Sequence, residues 1–224
     1  MEYHEYFIEI LRVLQWMVPI MNLTHSHLTL RQLADIISMG VNLARIPKES
    51  EGALMVPVIH VRDIIEDALL NVDQLECVSM PDTAQYHRQL LEPGDVLVSA
   101  RGTLMKCAVV PPSHRGTIAS ANFMTIRLGK SAVLKPELLC AFLRQPSLQH
   151  SVLGRVSSTA QAALTIRDLE NLRIPIPSPD IQPLLVRFLD VSEEQFRTAV
   201  SCARLRKEEA MDVLARYMDP TYAS

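Results

Sequence analysis

An α/β (α+β) domain with a small mixed sheet, followed by a long C-terminal coiled-coil helix, is the fold class this sequence predicts. Three observations carry it. In Leu91–Thr103, LEPGDVLVSARGT, a Pro93-Gly94 turn signal precedes the short apolar run Asp95–Ser99, which reads as a buried strand. Further β-rich runs alternate with stretches that open on helix-starting residues such as Pro136 and Thr165. From Leu184 to Asp219 there is neither glycine nor proline, and the composition is rich in Leu, Ala, Glu and Arg. That segment predicts one helix of about 50 Å at 1.5 Å per residue. The boundaries drawn are an N-terminal amphipathic helix in 1–24, the mixed domain in 25–178, and the long helix in 179–224.

In chain order, Phe7, Ile10, Leu11 and Leu14 recur at helical spacing, predicting an amphipathic helix over Glu2–Met17 that Pro19 ends. After a polar joint, Leu30, Leu33, Ile36 and Ile37 suggest a short helix over Leu28–Ser38, closed near Gly40. Met55–Val61 is β-rich and reads as a strand, whereas Arg62–Leu70 fits helix or turn equally. The Asp95–Ser99 strand delivers Ser99, Arg101, Gly102 and Thr103 to its end. A second strand, Met105–Val110, runs into a basic hairpin loop, Pro111–Gly116, and Thr117–Leu128 is extended. Helices follow over Pro136–Arg144 and Ser147–Leu153. Thr165-Ile166-Arg167-Asp168 has the form of a capped helix start, feeding the proline-bearing edge strand Arg173–Pro177. The apolar stripe of the long helix is Leu185, Leu189, Phe196, Ala199, Ala203, Ala210, Val213, Leu214 and Tyr217. Ser192 and Arg206 interrupt it, so it follows coiled-coil spacing loosely. A stripe this long calls for a partner helix.

Composition narrows the function classes. With 48% hydrophobic residues, the 224-residue chain can bury a real core. Its four cysteines (Cys77, Cys107, Cys140, Cys202) form no CxxC pair, as expected of buried thiols in a reduced, cytoplasmic protein. The acidic start lacks the basic region of a signal peptide. The longest apolar stretch, Ile8–Met21, carries Arg12 and Gln15 and is too short to span a bilayer, so no membrane role is expected. The overall charge of −3 hides an uneven distribution: −7 over residues 1–82, +6 over 83–173 and −2 over 174–224. Electrostatic binding answers to the local field, so a polyanion could bind the middle third despite the acidic total.

Taken in order, LEPGDVLVSARGT, IASANFMTIRL, LKPELLCAFLRQPSLQ, STAQAALTIRDLENLRIPIPS and the long charged helix resemble the specificity subunit of type I restriction–modification systems. The similarity covers about Leu28 to Met218. The resemblance implies that the mixed domain is a target recognition domain reading half of a split sequence in double-stranded DNA. It also implies that the long helix is a spacer that docks methyltransferase, and with it restriction, subunits. No catalytic residue, metal or cofactor is expected on the chain itself. It departs from the family pattern in three ways. One domain and one spacer stand where two of each are usual, Ile181-Gln182 replaces an acidic residue followed by glutamine, and the N-terminal helix is an addition. Pairing two copies about a twofold axis would restore the pseudo-symmetric whole. Leu185, Leu189, Phe196, Ala199, Ala203, Ala210 and Leu214 are the expected homodimer seam.

On this reading Ser99, Arg101, Thr103, Lys106, His114 and Arg115 are candidates to meet DNA. Arginine can grip guanine in two bonds and lysine can hold phosphate. The polar loop with Arg155, Ser157, Ser158 and Gln161 is a second candidate, since glutamine can read adenine. Ordinary surface charge and helix capping account equally well for any one of them. Catalytic readings fare worse. Asp219-Pro220-Thr221-Tyr222 imitates the base-holding tetrapeptide of adenine methyltransferases, but no glycine-rich strand–helix precedes it. Glu49/Glu51 and Asp63/Glu66/Asp67 suit solvated faces better than a nuclease metal site, His25 and His27 lack a third ligand, and Ser99 and Ser120 lack a nucleophile elbow. The competing reading is a protein–protein adaptor that keeps the fold and binds no DNA.

Overall fold

The computed structural model describes residues 26–46, 53–81, 84–101, 105–156 and 163–218. Outside them lie the expected N-terminal helix, Glu49/Glu51, Gly102, Thr103, Ser157, Ser158, Thr159, Gln161 and Asp219–Tyr222. Leu23–Pro183 forms one compact unit, and Leu184 onward belongs to another. In chain order the described elements are β1 (Ser26–Thr29), α1 (Leu30–Leu33), β2 (Ala34–Met39), β3 (Leu54–Ile59), β4 (Ile64–Ile65), β5 (Ala68–Leu69), β6 (Glu76–Met80), α2 (Ala84–His87), β7 (Val96–Ser99), β8 (Cys107–Val109), β9 (Ile118–Ala119), β10 (Phe123–Leu128), α3 (Pro136–Leu143), α4 (Pro146–Val156), α5 (Ile166–Glu170), β11 (Arg173–Ile176) and α6 (Gln182–Met218).

The centre is the four-stranded antiparallel sheet β2-β10-β7-β8. All four residues of β7 are buried because the sheet is covered on both faces. Val96 and Val98 point into a core with Met124, Ile126, Leu139 and Leu143. Leu97 points the other way, to Ile59, Ile64, Leu91 and Phe123. A strand with two buried faces reads as a continuous apolar run rather than an alternating one. Each such side chain contributes about 1.5–3 kcal/mol by leaving water. Beside it the three-stranded sheet β6-β3-β9 packs Val56, Val58, Met80 and Ile118 around Val41. Two small antiparallel pairs, β1-β11 and β4-β5, complete the domain.

The helix expected over Leu28–Ser38 is absent. That stretch is strand, a single helical turn, and strand. Leu30 and Leu33 are buried by one turn, capped where the Gln32 side chain accepts from Thr29 N and Oγ1. The β-branched Ile36 and Ile37 then pair with Arg127 and Ile126 of β10, and that pairing outweighs the helical spacing. Gly40 does not cap a helix either. A Cβ there would lie 2.2 Å from the Ser120 carbonyl oxygen, so the residue permits close approach of two backbones. Arg62–Leu70 resolves into a tight turn and the hairpin β4–β5, whose Glu66 and Asp67 both have positive φ, as a two-residue hairpin turn requires. The basic loop Pro111–Gly116 is not a hairpin. It carries the chain from β8 in one sheet to β9 in the other. The capped start at Thr165 is present, with Asp168 N bonded to Thr165 Oγ1 and the Asp168 carboxylate accepting from Thr165 N.

The helix α6 runs 37 residues, about 55 Å. It begins at Gln182, after the turn in which Ile181 N donates to Ser178 O. Every residue from Ser201 to Met218 is exposed.

Candidate nucleic-acid interface

The far end of β7 is where separate segments meet. Ala100 N donates to Asn122 O at 2.7 Å, and Leu164 N donates to Ala100 O at 3.0 Å. On the other side Ser99 and Lys106 exchange bonds: Ser99 N to Lys106 O, and Lys106 N to the Ser99 hydroxyl, each 2.8 Å. Met105 is buried with φ +60 and is held by its N–H to Ser99 O and by Gln149 Nε2 on its own carbonyl. A left-handed methionine is costly unless its surroundings over-determine it, and these bonds do so. The two polar stretches singled out in the sequence, on either side of Arg101 and of Ala163, therefore have adjoining described ends.

The candidates divide on inspection. Arg101 is exposed and has no partner among the described residues. Arg115 is exposed but paired with Glu92 at 2.9 Å. Lys106 is half-buried, with Nζ donating to Val61 O at 3.2 Å. Ser99 and His114 are corrections to the surface reading. Ser99 is fully buried with its hydroxyl on Lys106 N. His114 is buried, Nε2 donating to Leu70 O at 2.8 Å and Nδ1 facing Ser113 Oγ at 3.0 Å. Arg155 lies in α4, and nothing is described of its side chain.

The near end of β7 is locked by a pair the sequence did not reveal. Asp95, 1% exposed, receives Arg127 Nε at 2.7 Å and Nη2 at 2.6 Å, and accepts from Glu92 N at 2.8 Å. Arg127 also donates to Leu90 O. The side-chain hydrogen bond to Asp95 raises the Arg127 pKa, so the guanidinium stays charged. Gly94, at φ +90, makes the turn and donates to Val110 O. Asp95 and Arg127 line a cleft of about 600 Å³ with Glu92, Lys135 and Gln182, but they neutralise each other and offer no unpaired acid or base. Burial pushes the Cys107 thiol well up, away from a nucleophilic thiolate. Among the described residues no group of three His, Cys, Asp or Glu could hold a metal. No described helix is long and apolar enough to cross a membrane.

Of the expected seam on α6, Leu185 and Leu189 are half-buried, while Phe196, Ala199, Ala203, Ala210 and Leu214 are exposed. Phe196 is 58% and Leu214 54% exposed.

A buried double-faced strand, an arginine at its tip that is unpaired among the described residues, and a long helix later in the chain form the arrangement on which comparison with known proteins bears. Residues 24–199 match the family model described as type I restriction modification DNA specificity domain. The chain belongs to this family. A specificity subunit from Escherichia coli, that of the type I restriction enzyme EcoBI, is 25% identical over 154 residues, 65% of this chain and 32% of that one. The HsdS subunit from Thermoanaerobacter tengcongensis superposes with a TM-score of 0.60 at 18% identity, over 88% of this chain and 48% of that one. The type I S subunit from M. genitalium superposes with a TM-score of 0.52 at 11% identity, over 92% and 51%. At such identities these two structures show a shared fold. The specificity domain described here thus spans about a third of its curated relative and about half of each structural neighbour.

Proposed function

We propose that this chain is a sequence-specific DNA recognition subunit of a type I-like restriction–modification system. On this reading it works in the cytoplasm, has no catalysis of its own, and positions methyltransferase and restriction subunits on a split duplex target. The observation that carries the reading is Arg101: a charged side chain unpaired among the described residues, on a rigid sheet end, in a chain whose family is defined by DNA specificity. An arginine in that state can grip a guanine edge or a phosphate without first breaking an internal pair. Two copies are proposed to pair through α6, where Phe196, Leu205, Met211, Leu214 and Tyr217 expose apolar surface along one continuous helix.

The test is a mobility shift of the full chain on mixed duplexes across a salt series. Binding that falls linearly in log–log form with salt is expected, because phosphate contacts release counterions. Absence of binding at low salt, with the chain folded, would favour the protein–protein adaptor.

A further inference from the structure

The turn Ser120–Phe123, between β9 and β10, carries an asparagine that its own backbone does not require. Phe123 N donates to Ser120 O at 2.9 Å, leaving Ala121 and Asn122 as the central residues. Asparagine in a turn ordinarily meets one of two local needs, a left-handed backbone or a side-chain bond to nearby main chain. Neither applies. The described non-glycine residues with positive φ are Glu66, Asp67 and Met105. The exposed Asn122 carboxamide has no bond to any described residue.

The main chain beneath it, by contrast, is firmly held. Asn122 O accepts from Ala100 N, Ser120 N donates to Ile59 O, and Gly40 N donates to Phe123 O, all within 3.0 Å. Gly40 also abuts the Ser120 carbonyl so closely that no side chain would fit. Other polar side chains at this sheet end are bonded to the protein: the Ser99 hydroxyl accepts from Lys106 N, Lys106 Nζ donates to Val61 O, Gln149 Nε2 to Met105 O, and Thr165 Oγ1 to the Asp168 carboxylate. Three described side chains here have no such bond: the Ser120 hydroxyl, which is buried out of a partner's reach, and the two exposed ones, Arg101, next to Ala100, and Asn122, bonded to Ala100. A free amide on a rigid support suits recognition, since its position needs no ordering when a partner arrives.

We propose that Asn122 is a specificity-determining residue that reads an adenine beside the base or phosphate engaged by Arg101. A carboxamide both donates and accepts, which matches the N6 amino group and N7 of adenine in the major groove and no other base edge as well. The inference rests on the reading that this sheet end meets DNA.

The experiment selects bound sequences from a pool of random duplexes with the full wild-type chain and with Asn122→Ala, Asn122→Asp and Arg101→Ala. The wild type is expected to enrich a motif containing adenine. Asn122→Ala should lose preference at one A·T position by about five- to 150-fold, leaving the other positions unchanged. Asn122→Asp keeps the shape but loses the donor, and should lose the same position. Arg101→Ala should affect a different one. An unchanged motif in both folded Asn122 variants overturns the proposal while sparing the DNA-reading function. A wild type that enriches no motif overturns both.

Discussion

Breaking the Asp95–Arg127 pair is the sharpest test of how the strand β7, which leads to Arg101, is held. Asp95→Ala strands the Arg127 guanidinium, which is 31% exposed, and removes the acceptor for Glu92 N. Removing one member of a buried ion pair costs about 3–5 kcal/mol. Partial solvent access of Arg127 puts the expected loss near the lower end, about 3 kcal/mol. For a domain of this size that is a fall of about 6–12 °C in the melting midpoint, at 2–4 °C per kcal/mol. Circular dichroism melts and urea titrations of wild type, Asp95→Ala, Arg127→Met and the double variant measure it. The double variant should lose less than the sum of the singles, because neither charge is then left alone. The sign of the pH effect also follows. The folded pKa of Arg127 is raised above its ordinary value, so its contribution is fully present below that ordinary value and is lost only as the pH climbs through the raised one. Raising the pH from 7 to 10 should therefore not release the pair. Single variants that each cost under about 1 kcal/mol, or strictly additive losses, would refute the pair as the lock on this strand.

Other outcomes follow from the same geometry. Arg101→Ala should weaken duplex binding by about 1–3 kcal/mol and relax one position if it meets a base, whereas Lys106→Ala, whose ammonium is bonded to Val61 O, should lower the melting midpoint without changing the salt slope. Gly40→Ala should be more damaging than an ordinary Gly→Ala change, because its Cβ would sit 2.2 Å from Ser120 O; soluble yield and urea midpoint report it, and a wild-type midpoint would contradict the close approach. The double change Leu189→Lys, Phe196→Glu should give monomer in sedimentation at micromolar concentration, while an unchanged mass with an intact spectrum points to another interface. On the proposed twofold pairing, two identical domains would meet identical half-sites, so methylation mapping should reveal an interrupted palindrome, and deleting the heptad Val200–Arg206 (about 10 Å of helix) should narrow its gap by a few base pairs.

What the sequence made legible was local. The buried strand, the Thr165–Asp168 cap and the long helix all announce themselves through neighbours in the chain: an apolar run behind a Pro-Gly turn, an i,i+3 polar pair, an unbroken helical composition. What it concealed depends on distant partners. Leu30, Leu33 and Ile37 keep helical spacing, yet β10, some 90 residues on, draws Ile36 and Ile37 into a sheet. His114 sits among prolines and an arginine and reads as a loop surface, but its ring is bonded to a carbonyl 44 residues away. Arg127 lies 32 residues from Asp95, and no local pattern joins them. Ser99 and Asn122 are the instructive contrast. Both are small polar residues beside the same strand end, and only the fold shows that one is turned inward while the other is left unbonded among the described residues.

That contrast bears on how such a domain can take on different targets. The strand β7 is fixed at its start by an ion pair and along its length by two cores, and at its end by main-chain bonds from Asn122, Leu164 and Lys106. Main-chain bonds are blind to side-chain identity, so Arg101 and Asn122 are presented by a frame that does not depend on what they are. Substitutions at exposed positions away from such bonds usually change stability by under about 0.5 kcal/mol. A change at Arg101 or Asn122 should therefore cost the fold little, whereas a change at Asp95, Gly40 or Arg127 disturbs the frame itself. The expected signature is a separation of effects: frame variants alter the melting midpoint and leave the bound motif unchanged, and tip variants alter the motif and leave the midpoint unchanged. A tip variant that shifted both would mean that Arg101 or Asn122 is part of the frame, and that reading lies elsewhere on the domain.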